Sequence, residues 1–204
     1  MAPRSTLGQS MVLALSALLL MSCTAQKSGQ SWEYYKSVDG YAIDYPADWT
    51  VQHVSPKDKV WPAAMPAGNL VIFSSSGGDI SQLPFGGAGF GESELRLGVM
   101  VLYEPIGGTV TESAHILRTV TSQGTQGYEE QHCSPTTIGD VEAMDWQYAF
   151  DTTGSDGATN RATARMVLAI VNGREFAFTA GAFSDTFAAQ EQTVEHFFQS
   201  IELT

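Results

Sequence analysis

The sequence predicts an α+β fold, an antiparallel β-sheet flanked by helices. Three observations carry that prediction. In "EAMDWQYAF", Met144, Trp146, Tyr148 and Phe150 fall at every second position, with Asp145 and Gln147 between them. Ala162, Ala164, Met166, Leu168 and Ile170 repeat the period, which is that of a strand with one buried face. Asn172-Gly173 then supplies the preferred pair for a tight type I′ hairpin turn, with Phe176 and Phe178 continuing the alternation beyond it. Strands joined by short turns, with helical spacing confined to two stretches, imply a meandering antiparallel sheet of about seven strands with two helices.

The elements follow in order. Trp32 to Lys36 and Gly40 to Tyr45 flank the turn signal Val38-Asp39-Gly40 and form a first hairpin. Tyr41, Ile43 and Tyr45 alternate with Ala42 and Asp44. Pro46 has no N–H to give a ladder, so it ends that strand and favours a turn through Ala47 and Asp48. Trp49 to Val54, Leu70 to Phe73 and Leu95 to Tyr103 are further strand-like runs.

The stretch "TESAHILRTVTSQG" predicts a helix capped by Thr111 and ended by Gly124, with Ala114, Ile116, Leu117 and Val120 as its apolar face. Glu129 to Cys133 and Thr136 to Ile138 are short strands on either side of Ser134-Pro135. After Ser184 or Asp185 as cap, Phe187, Val194, Phe198 and Ile201 lie on one stripe of a closing helix.

Ahead of all this stands an apolar run, Met11 to Met21, of eleven residues without a charge, preceded by Arg4. A membrane-spanning helix needs about 20 apolar residues. The run instead has the length and flanks of a secretory signal peptide. Leu20-Met21-Ser22-Cys23 resembles a bacterial lipobox. That resemblance implies cleavage before Cys23, which would then carry a thioether-linked diacylglycerol and further acyl chains such as palmitate. Cys-Thr-Ala also fits a small-x-small site, so ordinary secretion with cleavage after Ala25 is the alternative. On the first reading, residues 1–22 are the lipoprotein signal peptide, 23–31 the acylated cysteine and a flexible polar tether, and 32–204 a single domain. The tether from Thr24 to Ser31 reaches about 26–29 Å when extended.

Ten Lys and Arg face 22 Asp and Glu, a net charge of −12. The first 22 residues hold Arg4 and no acid, so the chain from Cys23 onward is at −13. Phosphate binding needs clustered basic residues, so this balance argues against nucleic acid and against adhesion to anionic lipid. If Cys23 is acylated, Cys133 has no intramolecular partner, and a buried structural thiol is the expectation.

No motif places a catalytic or metal site. "GGDISQLPFGGAGFG", Gly77 to Gly91, holds six glycines, but no Lys-Ser/Thr follows and a strand comes next. It is an insertion whose Phe85 and Phe90 are the exposed anchors for any partner. His53, His115, His132 and His196 show no zinc spacing, and His132 and Cys133, being adjacent, would face opposite sides of a strand. Gly91-Glu92-Ser93-Glu94-Leu95 lacks the second glycine of a nucleophile elbow. "DTTGSDGATN" lacks the alternating acids and terminal glutamate of a calcium loop. Glu129-Glu130 suits a solvated strand edge. Trp146, Tyr148, Phe176 and Phe178 are core candidates that could instead line a groove, and Arg165, opposite Met166, is the charge beside such a surface.

An aromatic-rich "GYAIDYPADWTV" near the start, "VNGREFAFTAGAF" and a closing helix running into "FFQSIEL" together resemble the PsbP-like and Mog-like families. The resemblance implies an α/β/α sandwich. Proteins of this fold serve a photosystem in one branch and bind the Ran GTPase in another. It therefore implies a non-catalytic accessory or binding module, which the lipobox resemblance of Leu20–Cys23 would tether by lipid to a bacterial membrane, facing the periplasm or cell exterior. It would act through an unknown protein partner and use no cofactor. The alternative is a small-molecule or metal-binding lipoprotein, with the Gly-rich loop or aromatic face as its pocket.

Overall fold

The computed structural model describes residues 29–54, 66–75, 90–91, 93–153 and 157–204. Cys23, the signal segment and Phe85 lie outside the described residues, as does most of the Gly77–Gly91 loop.

Among the described residues, ten strands form two antiparallel sheets rather than one. Seven of them make the central sheet: β3 (Thr50–Val54), β4 (Gly68–Ser74), β5 (Arg96–Leu102), β6 (Glu129–Ile138), β7 (Val141–Thr153), β8 (Thr159–Val171) and β9 (Arg174–Phe183). Their spatial order is β3-β4-β5-β9-β8-β7-β6. Helix α1 (Val110–Gly124) carries the chain from the middle of this sheet to its far edge, and the β6–β9 meander returns it to pair with β5. β1 (Trp32–Lys36), β2 (Tyr41–Pro46) and β10 (Glu202–Leu203) form the second sheet, in the order β1-β2-β10. The expected turn between β8 and β9 is present, with Asn172 at φ 52° and Gly173 at φ 74°. Both angles are positive, as a type I′ turn requires.

Two hydrophobic clusters occupy the two faces of the central sheet. On one face Met144, Trp146, Tyr148 and Phe150 of β7 meet Ala162, Ala164, Met166 and Leu168 of β8 beneath α1. On the other, Phe176 and Phe178 meet Tyr41, whose ring approaches theirs edge-on at 6.4 and 5.9 Å. Phe73 contacts Tyr45 at 4.8 Å, so aromatic rings join the small sheet to the large one. Helices α2 (Ser184–Ala189) and α3 (Glu191–Gln199) cover this second face through Phe187, Val194 and Phe197. The result is the expected α+β arrangement of a sheet between helical layers.

Several local expectations need correction. The cap of α1 is Thr109, not Thr111: Thr109 Oγ1 accepts from the Glu112 amide and Glu112 reaches back to the Thr109 amide, closing a capping box. Its inward stripe is Val110, Ser113, Ala114 and Leu117, whereas Ile116 and Val120 face outward. β6 runs unbroken through Ser134-Pro135, because an edge strand needs no ladder N–H on its outer side. The closing helix is two helices, broken at Gln190. Ser184 does not cap it, since its hydroxyl pairs with Thr163 of β8.

Candidate functional site

Along β7 and β8, the face that meets α2 and α3 changes character partway. Val141, Ala143, Val167 and Ala169 belong to or pack on the apolar cluster, whereas Asp145, Gln147, Thr163 and Arg165 on the same face are polar. Where the apolar positions stop, α3 no longer seals the sheet. A trench remains, walled by β6 and α3 and floored by β7 and β8.

The trench comprises two adjoining cavities. One, of about 400 Å³, is bordered by Glu129, Gln131, Gln147, Arg161, Thr163 and Glu191. The other, of about 240 Å³, lies between Thr136–Gly139 at the end of β6 and Phe198–Gln199 at the end of α3. Arg165 and Glu195 line both.

Arg165 is held from three sides. Its Nε and one terminal nitrogen donate to the two carboxylate oxygens of Asp145, at 3.0 and 2.8 Å. Its other terminal nitrogen donates to Glu195 Oε1. The guanidinium lies over the Phe198 ring, 4.6 Å from its centroid. A planar fork matched to a carboxylate and backed by an aromatic ring is a preferred arginine setting. His132 Nε2 extends the chain to Asp145 at 3.2 Å. Burial works to raise the Asp145 pKa, but Arg165 overrides it and holds the carboxyl below its ordinary value. At the other end of the larger cavity, Arg161 donates to Asp151 at 3.1 Å, to Glu129 and to the Gly127 carbonyl.

The candidate residues of the sequence separate in space. Arg165 borders the trench, and Glu129 stands at its rim while Glu130 pairs with Arg118. Trp146 and Tyr148 lie on the α1 face and Phe176 and Phe178 on the opposite one, all buried, so they line no common groove. Phe90 is not an exposed anchor. It is buried against Phe183 and above Gly181, where an added Cβ would stand 3.1 Å from its ring, and Arg96 lies over it at 5.5 Å.

Cys133 is partly buried at the margin of the α1-side cluster, and burial pushes its thiol pKa up. The histidines are scattered, and among the described residues no group of three His, Cys, Asp or Glu side chains is placed to hold a metal. No described helix is long and apolar enough to cross a membrane. Glu195 and Asp145 were missed as site residues. The available signal was the run of polar residues on a strand face whose other members are apolar.

No family model matches the sequence, and no curated protein matches it at significance. Solved structures do. Cyanobacterial PsbP (CyanoP) from Synechocystis sp. PCC 6803 superposes with a TM-score of 0.53 at 18% identity, covering 91% of this chain and 99% of that one. The Ran-binding protein Mog1p of Saccharomyces cerevisiae is similar at 9% identity over 85% of this chain and 96% of that one, with a TM-score of 0.49. LpqN of Mycobacterium tuberculosis, involved in cell envelope biogenesis, is similar at 14% identity over 86% and 90%, with a TM-score of 0.41. The chain has the PsbP/Mog-like fold, and at these identities the likeness is one of fold.

Proposed function

We propose that the protein is a lipid-anchored, extracytoplasmic accessory module that docks a protein partner in the trench between β6–β8 and α3, without catalysis. The observation that carries this reading is the trench itself. Residues far apart in sequence, from Glu129 to Glu195, converge there on a polar surface fixed by the Arg165 network. Function-bearing polar groups set on a rigid scaffold suit recognition.

The anchor rests on the apolar run and lipobox-like Leu20–Cys23. Two or more acyl chains give stable membrane attachment. The first described strand begins beside α3, with Trp32 stacked on His196 at 3.8 Å and Thr193 bonded to Gln30. On this reading the chain that follows the tether meets the domain at the helix that borders the trench, which supports an anchor on that side. A photo-crosslinking residue at Gln147, in intact cells, tests the reading. A single membrane-associated partner supports it, and a pattern of unrelated neighbours counts against it.

A further inference from the structure

We infer that the two cavities are one channel for an extended basic segment, and that the Arg165–Glu195 ion pair is a latch across it which such a segment opens. The inference rests on the docking reading above and adds the partner's chemistry.

The cavities follow one another along every wall. On β8 they take Arg161, Thr163 and Arg165, then Arg165 and Val167; on α3 they take Glu191 and Glu195, then Glu195 and Phe198. Arg165 and Glu195 stand at the junction in both progressions. From Arg161 to Val167 a strand advances about 20 Å. That length accepts about six extended residues.

The latch is asymmetric. Arg165 and Asp145 are each 16% exposed and joined by two bonds, whereas Glu195 is 44% exposed and reaches Arg165 from one oxygen. Glu195 is thus the half that can swing away, leaving Arg165 neutralised by Asp145. Four carboxylates, Glu129, Asp145, Glu191 and Glu195, line the trench against two guanidinium groups, Arg161 and Arg165. Both guanidinium groups are already engaged by acids. An incoming ammonium or guanidinium finds Glu195 and Glu191 four residues apart on one helix face, and the chain's net charge of −12 attracts it. An acidic segment would meet repulsion from the same groups.

The test uses the full chain, an eight-residue peptide of alternating lysine and threonine, and its glutamate counterpart, read by NMR shifts. The lysine peptide is expected to move Gln131, Gln147, Arg165 and Glu195 together. Glu195→Gln should weaken it at least tenfold. Arg165→Gln should tighten it, because the competing cation is gone, an effect opposite to general damage. Should Arg165→Gln fail to fold, the exposed Glu195→Gln decides alone. Shifts scattered over the acidic surface, binding indifferent to Glu195→Gln, or preference for the glutamate peptide overturns the proposal. If neither peptide binds while Gln147 still crosslinks to one partner, the basic-segment chemistry is wrong and the docking reading stands. If that crosslink also fails, both fall.

Discussion

Glu94 and Arg96, two residues apart at the entry to β5, form an ion pair whose side chains are 4% and 3% exposed. The carboxylate takes two charge-assisted bonds from the guanidinium, at 2.8 and 2.9 Å. It also accepts from Ser74 Oγ at 2.8 Å and from the Gly91 amide at 3.0 Å. Losing this buried carboxylate removes the acceptor of all four bonds, two of them from a charged donor, which costs about 1.5–3 kcal/mol. Glu94→Ala should lower stability by that order in chemical denaturation, and Glu94→Gln by less.

The same pair sets a pH response. Burial acts to raise the Glu94 pKa, but the Arg96, Gly91 and Ser74 bonds outweigh it and hold it at about 2, below its ordinary 4.5. A carboxylate depressed on folding contributes stability above its unfolded pKa and loses it as pH falls toward the folded one. Unfolding midpoints should therefore drop between pH 4.5 and 2. In Glu94→Gln that part of the drop should be missing. An unchanged acid profile in the variant would contradict this assignment.

The capping box of α1 predicts a smaller, local effect. Thr109→Ala removes the acceptor for the Glu112 amide and should cost about 1 kcal/mol. Amide exchange should rise in the first turn of α1 while the strands stay protected.

Glu175 of β9 is 1% exposed and ties the β5–α1 connection to the sheet. Its Oε2 accepts from the Ile106 amide at 2.9 Å and from Ser113 Oγ at 2.7 Å. Glu175→Ala leaves both donors without that acceptor and should cost about 1.5–3 kcal/mol. Increased exchange at Ile106 would trace the loss to this contact.

The legible parts of the fold were those where local pattern and tertiary environment agree. β7 and β8 alternate cleanly because each has one face under α1, and Asn172-Gly173 permits little besides a tight turn. The limits of α1 were blurred because Thr109 and Thr111 both suit a cap, and only the fold brings Glu112 back to one of them. The break at Gln190 carries no glycine or proline, and the pairing of Ser184 with Thr163 spans two elements.

The site was half visible. Arg165 stood out as a charge within the alternating apolar run from Ala162 to Ile170. Its partners Asp145 and Glu195 lie 20 and 30 residues away, a distance that periodicity does not bridge. Phe90 read as an exposed anchor because its glycine-rich setting hides the buried shelf that Gly181 and Phe183 make for it.

Acylation is tested separately from the fold. Cys23→Ala should abolish fatty-acid labelling and release the protein from membranes. Labelling that persists in the variant would remove the lipobox reading of Leu20–Cys23.

The most direct measurement of the docking claim places a photo-crosslinker at Gln147, on the trench floor, or at Thr119, on the exposed side of α1. Both versions are then compared in intact cells. One partner captured from Gln147 and not from Thr119, and lost in Cys23→Ala, is the predicted result. Equal capture from both positions, or capture from Thr119 alone, would contradict it.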